Sequence, residues 1–203
     1  MSALVDATFL GEVIVTLTVI MDPLGNVPLF LSLTAGQTPR RRATAAWQSV
    51  LTALGVITLF ALFGRQILSY LGITVPALQG SGGLLLLLVA LQLLTGREET
   101  PSEVSNVNIA LVPLGTPLIA GPGAIVAVIV FVQRVHGSGQ GVALALGILA
   151  VHIIIYLSLR FSVLLIRLLR EGGIQLLTRV SGLLLSAIAV QLIADGVRGF
   201  VRA

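Results

Sequence analysis

The chain has 203 residues, 56% of them hydrophobic and 10% charged, with a formal net charge of +4 and a mean hydropathy of +1.07. That balance excludes an ordinary soluble domain and reads as an integral membrane protein. The twelve basic residues are all arginine and stand between or beside apolar blocks, so the pI near 11.0 marks topology rather than a nucleic-acid surface, and the absence of cysteine excludes disulfides and thiolate chemistry.

A spanning helix needs about 20 mostly apolar residues. By that measure six spans are predicted, at roughly 9–33, 44–64, 76–95, 109–133, 140–163 and 174–196. The opening MSALVDATFLGEV has no basic residue ahead of its apolar run, so it is expected to remain as part of the first span rather than act as a cleavable signal. That span contains MDPLGNVPLF at 21–30. Pro23 and Pro28 remove two backbone donors and obstruct earlier carbonyls, and Gly25 permits torsions that other residues avoid. A continuous helix is not expected there. Backbone freed at membrane depth must be satisfied by protein or by a water-lined cavity, so Asp22 and Asn26 fall on a local polar surface. Two readings of Asp22 stand side by side: a member of a binding site for a small polar solute, or a cap on the following half-helix.

The separator AGQTPRRRA carries the basic cluster Arg40, Arg41 and Arg42 and precedes the second span. The third span holds Ser81, Gly82 and Gly83, which suit close helix packing, and Gln92, which needs a polar partner. GREETPSEVSN opens the most polar stretch, a predicted exposed loop over 96–107. The fourth span contains PLGTPLIAGPGAI at 113–125, with Pro113, Pro117, Pro122, Gly115, Gly121 and Gly123. No ordinary spanning helix accommodates that density of breakers. This motif has no acid; Thr116 and the opened backbone near Gly121 to Gly123 offer neutral hydrogen bonds and a helix amino end for a carboxylate. His152 in the fifth span has two readings, a proton relay or a neutral residue bonded to a carbonyl of its own helix, and a lone histidine without a second metal ligand in that helix favours the structural one. Gln191 lies in the sixth span, and Asp195 with Arg198 is spaced for a local ion pair.

Two echoes divide the chain. PLGNVPL at 23–29 matches PLGTPLI at 113–119, and GGLLLLLVALQLL at 82–94 matches SGLLLSAIAVQLI at 181–193, setting Gly83 against Gly182 and Gln92 against Gln191. The expected fold is an all-α integral membrane domain with six transmembrane helices as a 3+3 inverted repeat, repeat 1 at about 9–95 and repeat 2 at about 109–196, spans one and four being broken at their Pro/Gly motifs. The loops after spans one, three and five carry eight arginines and the other side four, which places both termini outside the cytoplasm.

Six spans with DPLGNVPLF in the first and PLGTPLIAGPGAI in the fourth resemble the MarC family, also called UPF0056 or the small neutral amino acid transporter group and placed with the LysE-type exporters. The resemblance covers almost the whole chain and is specific at those two motifs. Asp22, Pro23, Gly25, Asn26 and Pro28, with Pro117, Gly121, Pro122 and Gly123, match the family signature; Thr116 replaces a residue that is often more hydrophobic in the family. The resemblance implies transport of a small neutral amino acid such as glycine or alanine at an inner membrane.

The expected function is therefore secondary transport of a small polar solute, with the substrate site formed by Asp22, Pro23, Gly25, Asn26, Pro28, Pro113, Gly115, Thr116, Pro117, Gly121, Pro122, Gly123, Gln92 and Gln191, and with Asp22 as the proton-coupling candidate. Rival readings are an uncoupled channel or exporter for another small solute and a membrane scaffold or sensor. No Walker loop, GxSxG or HExxH occurs, so no enzyme activity, cofactor or metal is expected. The expected partners are a small-molecule substrate and the lipid bilayer, with no nucleic acid; a homo-oligomer is left open.

Overall fold

The computed structural model describes residues 5–95 and 119–202. Seven helices account for most of them: α1 (Ala7–Met21), α2 (Asn26–Leu33), α3 (Pro39–Tyr70), α4 (Val75–Thr95), α5 (Pro122–Gln133), α6 (Ser138–Arg160) and α7 (Ser162–Arg202). No strand occurs among the described residues. By length and composition α3, α4, α6 and the Gly172–Val201 part of α7 can each cross a bilayer, and α1 with α2 makes a fifth candidate bent by 47°. The first residues of the predicted fourth span, and with them Pro113, Gly115, Thr116 and Pro117, lie outside the described residues.

The helices run past the apolar blocks that predicted them, because polar residues supply their ends. Asp6 accepts the Phe9 amide at 3.0 Å and caps α1. Thr38 caps α3 and Pro39 occupies its first turn, so the basic cluster is helical and α3 reaches 32 residues. The long α7 consists of two helical pieces joined at Arg170, whose φ of 53° and ψ of 171° are not helical.

Lipid gives apolar helices little reason to associate, so the bundle depends on close fit. One buried cluster joins α1, α2, α3, α5 and α6 through Val13, Phe30, Ile57, Val128 and Ile155. A second lies between α4 and α7 and consists of Leu86, Ala90, Leu185 and Ala189. These two helices pack with their glycines on each other's backbone. A methyl group built on Gly83 would stand 2.7 Å from the Ala189 carbonyl oxygen, and one built on Gly182 would stand 3.2 Å from the Ala90 carbonyl oxygen. The contacts are reciprocal: a shift of 99 residues carries Gly83 to Gly182, Ala90 to Ala189 and Leu86 to Leu185. Residue 83 meets 189 while 90 meets 182, so the two helices run antiparallel.

Candidate functional site

Between Met21 and Asn26 the chain leaves helical geometry for reasons that are local. Pro23 has no amide to continue the ladder of α1, and Asp22 takes φ 37° and ψ 71°, a left-handed conformation that Asp and Asn tolerate better than most residues. The Asp22 amide still donates to the Thr18 carbonyl at 3.0 Å, so Asp22 is the last group tied to α1. Asn26 then closes the end: its Nδ2 donates to the Met21 carbonyl at 2.7 Å and to the Asp22 carbonyl at 3.0 Å. Oδ1 of Asp22 accepts the Gly25 amide at 3.2 Å. Pro28 sits in the first turn of α2, where its missing donor costs nothing because first-turn amides have no helical partner.

Gly25 is required by proximity, not by torsion. Its φ of −64° suits any residue, but a β-carbon there would collide with the Asp22 carboxylate. The carboxylate thus folds over a bare backbone. Asp22 is 8% exposed and Asn26 7%. Oδ2 of Asp22 and Oγ1 of Thr18, one turn earlier, are both buried and have no hydrogen-bond partner among the described residues. From α7, Ser181 faces the same carboxylate. Capping and an unsatisfied oxygen therefore coexist in one side chain: Oδ1 is engaged by the turn, and Oδ2 makes no hydrogen bond of good geometry among the described residues although Ser181 lies close to the carboxylate.

The described part of the second motif opens α5. Gly121 precedes the helix, Pro122 takes its first position, and Gly123 lies so close to Leu86 of α4 that a side chain there would collide with it. Pro122 also borders a cavity of about 500 Å³ between α4 and α5, beside Ser81, Gly82 and Ala120.

A larger cavity of about 720 Å³ lies between α1, α5 and α7. Glu12, Thr16 and Ile20 line it from α1 at successive turns, a run of about 12 Å at 1.5 Å per residue. Arg134, Val130 and Ala127 descend along α5 in the same way, opposite Asp195, Gln191 and Ile188 of α7. Its mouth is polar and its floor apolar. The floor ends close to both motifs in sequence: Ile20 comes two residues before Asp22, and Ala127 four after Gly123.

At the mouth Glu12 and Arg134 form a two-pronged ion pair, with Nη2 to Oε2 at 2.8 Å and Nη1 bonded to Oε1. The guanidinium also lies over two rings, 5.6 Å from the centre of Phe9 and 5.5 Å from that of Phe131, which themselves meet edge to face at 5.8 Å. On the facing wall Gln191 donates to Asp195 at 3.0 Å, and Arg198 stands 3.6 Å from the same carboxylate.

Sequence-predicted site residues separate into groups. Asp22, Pro23, Gly25 and Asn26 form one turn, with Pro28 just inside α2; Gly121, Pro122 and Gly123 start α5; Gln92 and Gln191 are both exposed, and of the two only Gln191 lines the large cavity. His152 is 2% exposed, with Nδ1 2.7 Å from the Ile148 carbonyl oxygen of its own helix. Glu12, Thr16, Gln79 and Arg134 were not anticipated as cavity residues. A signal existed for one of them, since Glu12 is an acid inside the predicted first span and such groups need a partner.

Comparison with known proteins agrees with the membrane assignment. The model of the MarC family of integral membrane proteins matches residues 7–201. A UPF0056 membrane protein of Methanocaldococcus jannaschii is 38% identical over 187 residues, covering 89% of this chain and 91% of the relative. The UPF0056 membrane protein YvbG of Bacillus subtilis is 30% identical with 95% of each chain covered, and the UPF0056 inner membrane protein YhgN of Escherichia coli is 32% identical with 93% and 95% covered. No solved structure matches. A family model spanning nearly every described residue, together with relatives aligned end to end, identifies the chain as a member of the MarC family of integral membrane proteins.

Proposed function

We propose that this protein is a secondary transporter of a small neutral amino acid such as glycine or alanine, built as a six-span 3+3 inverted repeat in the inner membrane with both termini outside the cytoplasm. The observation that carries the proposal is the free Oδ2 of Asp22, a buried carboxylate oxygen without a partner among the described residues at a point where the helix is open. A carboxylate in that position is expensive unless it is protonated or neutralised, and both are states a carrier cycles through. Asp22 serves as the proton-coupling group and as the anchor for the substrate ammonium, with the start of α5 as the amino-terminal helix end for the substrate carboxylate.

Three features support the architecture. The reciprocal contacts of α4 and α7 are what a local twofold between antiparallel helices generates, and an inverted duplication produces such an axis in the membrane plane. We read α1 and α2 as one broken span. The cavity leads from a polar mouth towards the two motifs, which is the layout of an access path. A relative named as an inner membrane protein supports the location. The chain works as a carrier and not as a catalyst, needs no cofactor, and has the bilayer and a small solute as its partners.

Glycine counterflow in proteoliposomes tests the reading. Unlabelled glycine inside the vesicles should accelerate entry of labelled glycine, as a carrier requires. A rate indifferent to internal glycine would indicate a pore, and no entry of any neutral amino acid would return the chain to the scaffold class.

A further inference from the structure

The large cavity contains one feature that the transport cycle outlined above does not use. Arg134 is the one arginine among its lining residues, and its two-pronged contact with Glu12 reproduces the way a guanidinium grips a free carboxylate. We infer that Arg134 is a capture point for the carboxylate of an incoming solute at the cavity mouth, and that Glu12 is the resident carboxylate which the solute displaces.

Glu12 can be exchanged. The side chains of Arg134 and Glu12 are 49% and 42% exposed, so the pair is reached from water, and an incoming carboxylate can take over the same two-pronged contact that Glu12 gives up. Arg134 does not need Glu12 to stay in place. Phe9 on α1 and Phe131 on α5 hold the guanidinium from two sides, so it remains oriented when Glu12 turns away. From Arg134 the cavity extends along α1 past Thr16 as far as Ile20, two residues before Asp22. Asp195 on the facing wall is already engaged by Gln191 and Arg198, so the mouth recognises the solute through its carboxylate. The inference rests on the transporter reading for its biological purpose, but the binding it describes can be measured without transport.

The absence of cysteine makes the test direct. A single Thr16→Cys substitution places a thiol below the mouth, and its labelling by a water-soluble thiol reagent in native membranes reports access to the cavity. Glycine and acetate should slow labelling, and methylamine should not. Arg134→Gln should raise the half-protecting glycine concentration about tenfold, whereas Glu12→Gln should lower it several-fold, and the double variant should behave like Arg134→Gln. Opposite shifts from the two halves of one ion pair are not produced by a merely structural bridge. Equal weakening in both single variants, or protection unaffected by Arg134→Gln, would overturn the inference while leaving glycine counterflow free to stand or fall separately.

Discussion

Two of the three acids in the first 33 residues have opposite surroundings. Glu12 is half-exposed and bonded through both oxygens to an arginine from another helix, whereas Asp22, ten residues later, is 8% exposed and has one oxygen without a partner among the described residues. If acids were placed only for stability, the buried one would have the cation. A charged acid near the centre of a spanning helix costs about 2.5 to 3.5 kcal/mol even on the lenient insertion scales. The turn from Met21 to Asn26 retains that cost and uses Oδ1 to satisfy its backbone, so the energetic demand falls on Oδ2. Under the transporter reading, the comparison separates an acid that is held from an acid that is left able to change state.

The largest expected effect comes from removing that second state. Asp22→Asn keeps an oxygen to accept the Gly25 amide, so the turn should persist, but it cannot bind and release a proton. Accumulation of glycine driven by a pH gradient should fall to the level of empty proteoliposomes, while counterflow, which needs no proton, should persist but with a raised half-saturating glycine concentration because the ammonium anchor has lost its charge. Undiminished accumulation would remove Asp22 from coupling and leave it as a cap.

Gly25→Ala applies the same question through geometry. The backbone at Gly25 accepts alanine, so the added methyl acts by driving the Asp22 carboxylate from its position. Overpacking of this kind costs about 1 to 3 kcal/mol, and uptake should drop at least several-fold with a lowered melting temperature in detergent. An active and equally stable variant would show that the carboxylate can sit elsewhere.

How much of this could be read from the sequence depends on how far apart the interacting residues are. The opening between α1 and α2 follows from a missing amide at Pro23 and a missing side chain at Gly25, two positions apart in the sequence. The glycine pair of α4 and α7 could be sensed through the echo of 82–94 in 181–193. Glu12 and Arg134 stand 122 positions apart, and nothing local to either marks the pairing. Gln92 and Gln191 show another limit: they occupy matching places in the echo, yet one faces outward and the other faces the cavity, because rotation of a helix is set by its neighbours. Hydropathy windows likewise found the apolar middle of α3 and missed its first turn, which is built from a threonine cap, a proline and arginines.

The apolar counterpart of the acid comparison is the interface of α4 and α7, where close approach replaces polar contact. Gly83→Leu inserts four carbons where even one would stand 2.7 Å from a carbonyl oxygen. Thermal melting in detergent should register a loss of about 1 to 3 kcal/mol, and the matching change at Gly182 should cost less because its neighbours are 3.1 to 3.2 Å away. Equal effects would weaken the ranking by distance without disturbing the reciprocity.

The smallest effect is expected from a third acid, Asp6, which sits at the end of α1 and completes the series. Its Oδ1 accepts the Phe9 amide and its Oδ2 accepts the Gln140 amide from α6 at 3.4 Å, while its own amide donates to the Gly139 carbonyl at 3.3 Å. The Phe9 amide favours the charged form and holds this carboxyl below its ordinary 3.8. A depressed value means that Asp6 stabilises the fold above its unfolded pKa and ceases to do so as the pH falls through its folded one. Asp6→Asn keeps a good cap, so its melting temperature at pH 7 should match that of the parent, and the two proteins should diverge in acid only by the small increment that protonation of Asp6 removes. Asp6→Ala should be less stable than either at pH 7. Should Asp6→Asn instead melt as low as Asp6→Ala at pH 7, the charge and not the cap would be what ties α1 to α6, and Asp6 would belong with Glu12 as a held acid rather than with the helix ends.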